Sequence, residues 1–267
     1  MGETHIRLRL AIAFLLLAAP AVPLAASADP IVACPDARGC PDLTIDVAQM
    51  AVGHPQRRTF APDHCAVEEG AVEPGTRDLM VFSTTVANVG EGDLSLGHPP
   101  SRPEWYEWSP CHGHWHFIGF SAYRLWTVEG FLAWDALRRA DPSRTATEVL
   151  DAHPELREHM RAARKQGVCP GDIYPAVPGT AGILRAPPDP LPKYSYCWPG
   201  FGPHEAGISR GWSDLYNAGL DGQWVDVTGI PTGTVMILEN EVNPEHRMAE
   251  MDLSNNRAFL PIVVVTR

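Results

Sequence analysis

Apolar and polar positions alternate over residues 42–48, where Leu43, Ile45 and Val47 follow Asp42, Thr44 and Asp46. A two-residue period is that of a strand with one buried face. Residues 79–97 carry apolar stretches interrupted at Gly90 and Gly92, which predicts strand, turn, strand. Residues 235–238 and 261–266 predict further strands. The pattern changes over residues 131–165, which are rich in Ala, Arg, Glu and Leu and are broken at Asp141-Pro142-Ser143; two short helices fit there. Residues 170–193 hold many prolines and glycines and predict a long loop. Together these elements predict a mainly β fold: a β-sandwich-like domain with large loops and a short helical insertion.

The chain begins differently. Arg7 and Arg9 precede an apolar run from Leu10 to Ala19, and Ala26-Ser27-Ala28 forms an A-x-A pattern. This predicts a secretory signal peptide over residues 1–28, cleaved before Asp29, and a single domain over residues 29–267. The apolar run is too short, and too soon followed by Pro20 and Pro23, to predict a spanning helix. The expected location is secreted or in the periplasm and cell envelope.

The formal charge of −11 argues against a nucleic-acid partner, which calls for basic clusters. It suits cationic substrates such as amines equally with plain solubility. Six cysteines, at positions 34, 40, 65, 111, 169 and 197, predict three disulfides in an exported chain, and the count alone leaves every pairing open.

One segment carries metal chemistry. Residues 105–117 read W-Y-E-W-S-P-C-H-G-H-W-H-F, with His112, His114 and His116 at alternate positions. On a helix His114 would face away from the other two, whereas on a strand all three share a face. The outer α-carbons are then roughly 13 Å apart. The middle residue must bind at shorter range, or Gly113 must let the backbone bend. Three neutral imidazoles suit copper or zinc better than calcium or magnesium, and spacing does not choose between copper and zinc.

This C-H-x-H-x-H stretch after a W-x-x-W aromatic pair resembles the copper-binding segment of the lysyl oxidase family, and the resemblance extends over roughly residues 41–262. It implies copper on His112, His114 and His116; Ala122 stands where animal members often have a further histidine. The chain has only two lysines, Lys165 and Lys193. The resemblance assigns Lys165, four residues before Cys169, and Tyr216, in G-W-S-D-L-Y-N-A-G-L-D-G-Q-W, to the organic cofactor lysine tyrosylquinone. Its carbonyl takes up a primary amine or peptidyl lysine. A general base and O2 then complete the reaction, which yields an aldehyde, hydrogen peroxide and ammonia. Asp214, Asp221 and Asp226 are the candidate bases, with none preferred. The resemblance further implies a calcium ion held by Asp42, Leu43, Glu250, Asp252, Asn255 and Asn256. It implies the disulfides Cys65–Cys111 and Cys169–Cys197, which leave Cys34 and Cys40 to close a small loop. Two other classes stay open: a non-catalytic copper-binding β-sandwich, and a calcium-stabilised structural or adhesion module.

Overall fold

The computed structural model describes residues 30–34, 38–50, 53–163, 168–195 and 205–266. The segment read as a signal peptide, Lys165 and Cys197 lie outside them. The fold is mainly β, with short antiparallel strands and few helices. One four-stranded sheet runs in the order Leu43–Ile45, Thr84–Asn88, Trp212–Tyr216, Tyr174–Pro175. A second runs Arg257–Val263, Val235–Val242, Ser121–Thr127, Met160–Ala163. The two share one core, in which Leu43, Ile45 and Val86 of the first meet Tyr123, Leu125, Leu238 and Val242 of the second. A three-stranded sheet, Trp224–Asp226, Gly75–Val81, Gln56–Phe60, flanks them.

Period two sets the faces of the second sheet. Along Val235–Val242, Met236, Leu238 and Val242 point into the shared core. The intervening positions include Glu239 and Glu241, yet both are buried. The reason is a helical layer over the outer face, built from Val128–Ala140 and Ala146–Ala152. Trp126, Phe131, Trp134, Val149 and Leu156 form its core. Thr127 caps the first helix by accepting from the Gly130 N–H. Thr145 and Glu148 form a capping box on the second, which satisfies N–H groups that no helical carbonyl reaches. Between them the Asp141 carboxylate accepts from the Ser143 N–H and hydroxyl. Gly130 is required by packing, because a β-carbon there would stand 2.2 Å from that of His159.

The strand expectations differ from the structure in detail. The first strand stops at Ile45, because the Asp46 side chain accepts from the Ala48 N–H and starts a 3₁₀ turn, Val47–Gln49. The 79–97 stretch contributes to three strands. Gly75–Val81 belongs to the flanking sheet and Thr84–Asn88 to the first sheet, so the chain changes sheets at Phe82-Ser83. Leu94–Gly97 pairs with Ala206–Ile208. The last strand starts at Arg257 and runs along a sheet edge, where Pro261 is tolerated. Residues 168–195 contain only the two-residue strand Tyr174–Pro175. Among the described residues no helix is long and apolar enough to cross a membrane.

Candidate metal centre

The three histidines sit on a hairpin made of Tyr106–Ser109 and His114–Phe117. Cross-strand pairs fix its register: Ser109 with His114, Trp108 with Trp115, Glu107 with His116, Tyr106 with Phe117. Only His114 and His116 share the strand, so the single-strand arrangement gives way to a turn. Gly113 takes φ +68°, a left-handed conformation that a β-carbon disfavours, and the chain folds back so that His112 joins the other two. The ring centroids are 5.7 Å apart for His112 and His114, 5.2 Å for His112 and His116, and 4.8 Å for His114 and His116. One ring nitrogen from each lies within 4.8 Å of the others.

This grouping fits a metal on its own chemistry. His112 Nδ1 and His116 Nε2 are 3.3 Å apart, a gap that a shared proton or a shared ion would bridge. His114 Nδ1 lies 3.1 Å from the His112 carbonyl oxygen. A bond donated there leaves Nε2 as the lone-pair nitrogen, the usual way of fixing a ligand tautomer.

A short helix, Cys65–Glu68, clamps the turn. Cys65 and Cys111 are disulfide-bonded with α-carbons 5.7 Å apart. Next to the helix, Glu69 Oε1 accepts from the Ser109 hydroxyl at 2.6 Å and lies 3.5 Å from His112 Nδ1. Ser109 Oγ in turn accepts from the His112 N–H at 3.1 Å. Sequence reasoning missed Glu69. The Glu68-Glu69 pair just after Cys65 is a signal that acquires meaning once Cys65 is tied to Cys111. The other disulfide is Cys34–Cys40; Cys169 is also disulfide-bonded.

Tyr216 ends its strand opposite Thr84 and packs against the main core. Its phenolic oxygen accepts from the Cys169 N–H at 2.9 Å, and the neighbouring Val168 carbonyl accepts from the Phe117 N–H at 2.9 Å. Val168–Cys169 thus lies between Tyr216 and the residue next to His116. Burial, and then the charge of Asp214, push the Tyr216 phenol well above its ordinary value.

The three aspartates near Tyr216 separate. Asp214 is buried two residues away on the same strand face. Asp221 is exposed and paired with Arg58 at 3.0 Å. Asp226 accepts from the Thr228 N–H and lies 3.8 Å from Arg77. The second lysine is also committed elsewhere. Lys193 Nζ is 2.6 Å from Asp93 and also bonds Asp189. Burial would lower its ammonium, but the two carboxylates outweigh this and raise it.

Among the proposed calcium residues, hydrogen bonds link Asp42 with Asn255, and Leu43 and Asn256 with Glu250. Asn255 Nδ2 donates to Asp42 at 2.8 Å, and the Leu43 N–H donates to Glu250 Oε2 at 2.6 Å. Asn243 and Asn256 both donate to Glu250 Oε1, at 2.6 and 2.8 Å. Asp42 is fully buried, and burial lifts the Glu250 carboxyl to about 8. The Oδ1 atoms of Asn255 and Asn256 are buried and accept no hydrogen bond. Buried oxygens without donors suit a hard cation.

Fold and site define a mainly β, disulfide-clamped domain with a three-histidine cluster ready for a metal. A lysyl oxidase family model matches residues 193–264. The chain is 27% identical over 236 residues to lysyl oxidase homolog 2 of Rattus norvegicus, covering 84% of this chain and 24% of that protein. It is 29% identical over 235 residues to protein-lysine 6-oxidase of Gallus gallus, covering 82% and 44%. It is 29% identical over 230 residues to lysyl oxidase homolog 1 of Homo sapiens, covering 82% and 32%. The chain is thus similar to lysyl oxidase family members over most of its own length, and it spans less than half the length of these curated proteins.

Proposed function

We propose that the protein is an exported, copper-dependent amine oxidase that converts primary amines, peptidyl lysine among them, to aldehydes with release of hydrogen peroxide and ammonia. His112, His114 and His116 would hold the copper. Copper held there would supply, with O2, oxidation of the Tyr216 ring to an ortho-quinone; addition of the Lys165 amine gives an aminocatechol, which a second O2 would oxidise to the lysine tyrosylquinone with release of hydrogen peroxide. The observation that carries this reading is the position of Val168–Cys169, tied on one side to Phe117 and on the other to the Tyr216 hydroxyl. Lys165 is three positions before Val168, a stretch that spans at most about 11 Å. Of the two lysines, Lys193 is the less suited to be a nucleophile, because its ammonium is held charged by Asp93 and Asp189.

The chain's own groups divide the remaining tasks. Asp214, whose carboxylate accepts a hydrogen bond from the Tyr216 phenol, is proposed as the base that takes the proton from the carbon next to the substrate amine; Asp221 and Asp226 face arginines. Copper-loaded protein incubated with a primary amine tests the reading. Peroxide release, quinone absorbance and a mapped crosslink between the Lys165 and Tyr216 peptides are the expected results. Tight copper binding with the two peptides separate would instead make this a non-catalytic copper-binding module.

Glu69 carries a prediction of its own. Its carboxylate fixes Ser109 and faces His112, so it orients a proposed ligand rather than binding substrate. Losses on removing such partners run to about 10–100-fold in metal affinity. Glu69→Ala is expected to weaken copper binding by that order, while Glu69→Gln, which can still accept from Ser109, recovers part of it. Competition with a copper chelator measures this; equal affinity for all three proteins would remove Glu69 from the site.

The calcium reading is also retained as a proposal, with Asp42, the Leu43 carbonyl, Glu250, Asp252, Asn255 and Asn256 as ligands. The orphaned Asn255 and Asn256 oxygens support it. The ion would tie the first strand to the turn before the last one, a contribution to stability.

A further inference from the structure

The calcium cluster faces a positive charge of the protein's own. Arg185 lies in the long loop, and its backbone N–H donates to the Val89 carbonyl at 2.8 Å, just past the strand Thr84–Asn88. From there its Nε donates to Asp42 Oδ2, and its Nη2 lies 3.5 Å from Asp252 Oδ2. The guanidinium is 38% exposed, whereas the Asp42 side chain is fully buried. It therefore approaches the cluster from the solvent side.

A buried carboxylate requires a counter-charge or a proton. Arg185 supplies that charge to Asp42. It does so on carboxylate oxygens that a calcium ion would also need, because calcium collects six to eight oxygens at about 2.3–2.6 Å. One oxygen face cannot serve both at those distances. The remaining acceptors, the Asn255 and Asn256 Oδ1 atoms, are left without partners while Arg185 is in place.

We propose that Arg185 is the resident counter-cation of this cluster and that a divalent cation enters by displacing its guanidinium from Asp42 and Asp252. This rests on the calcium reading given above. The displacement is a side-chain swing. The Arg185 backbone stays bonded to Val89, and the loop around it stays seated through Thr44 on the Ala181 carbonyl and Thr180 on Asp46. Calcium affinity in the native protein is thus set partly by the strength of an internal ion pair.

Calorimetric titration of calcium into calcium-free protein tests this, with native protein, Arg185→Gln and Arg185→Lys compared. Arg185→Gln removes the competing charge and is expected to bind calcium roughly two- to fivefold more tightly, the scale on which a partly exposed ion pair is broken. Arg185→Lys keeps a charge in reach and is expected to stay near the native affinity, which also controls for folding. Equal calcium binding by native protein and Arg185→Gln, or weaker binding by the variant, would overturn the role of Arg185 and leave the calcium site standing. Absence of calcium binding in all three would overturn the calcium reading together with the competition.

Discussion

Replacing Tyr216 by phenylalanine is expected to abolish amine turnover and the quinone absorbance while leaving the protein folded. The phenol makes one described backbone contact, accepting from the Cys169 N–H at 2.9 Å. Its ring packs on the main core, and phenylalanine fills the same volume. The phenol also bonds the Asp214 carboxylate, so the stability loss is about 1–3 kcal/mol for each partner left unpaired. For a domain of this size that is a fall of roughly 2–12 °C in Tm. Chemistry suffers differently, because a ring without oxygen cannot become a quinone carbonyl. Lys165→Ala should give the same loss of turnover with Tyr216 intact. Both variants should bind copper as the native protein does, since neither side chain belongs to the histidine cluster. The measurements are peroxide release, visible absorbance and copper stoichiometry on the same preparations. An active Tyr216→Phe protein would remove the organic cofactor from the proposal.

Much of this site was legible in the sequence because its signal is local. Alternate histidines around a glycine announce a cluster within five residues, and Gly113 proved to be the hinge that brings His112 back onto the other two. What was illegible depends on distant pairing. Glu69 lies 43 residues before His112 in the chain and reaches it only because Cys65 and Cys111 are joined. The break at Phe82-Ser83 is hidden for a related reason. The residues on either side, Leu79–Val81 and Thr84–Asn88, are all buried, so the pattern continues while the chain passes from one sheet to another. Asp214, Asp221 and Asp226 read alike in sequence, and only their partners separate them. Along Val235–Val242 the alternation misleads outright. Glu239 and Glu241 occupy positions that a two-layer sandwich would expose, but the helical layer turns that face into a second interior.

That second interior supports the other large expected effect, the collapse of stability on replacing Glu239 by leucine. Glu239 Oε2 accepts from the Trp126 indole at 2.8 Å and Oε1 from the Trp134 indole at 2.9 Å. Arg257 Nε donates to Oε1 at 2.7 Å, and Arg124 Nη1 lies 3.4 Å from Oε2. The Trp134 ring is approached by the guanidinium groups of Arg124, Arg138 and Arg257 at 5.1, 5.5 and 5.7 Å. Leucine would leave these cations with less counter-charge and two buried indoles without an acceptor. Breaking one side of such a pair costs about 3–5 kcal/mol, so Tm should fall by roughly 6–20 °C.

The same residue predicts an acid limb. Burial alone would raise the Glu239 carboxyl, but Arg124, Arg257 and the two indole donors outweigh it and hold it below its ordinary value. With the folded value depressed, the stabilisation is present above the unfolded-state value of about 4.3. It is lost as pH falls from there through the folded value, because the unfolded chain takes up the proton first. Thermal unfolding of the native protein should therefore weaken below about pH 4.3. Glu239→Leu, which starts lower at pH 7, should lose less over that window. Parallel Tm–pH curves for the two proteins would show that Glu239 does not carry the acid limb. A variant as stable as the native protein at pH 7 would show that the helical layer holds the sheet through its apolar contacts alone.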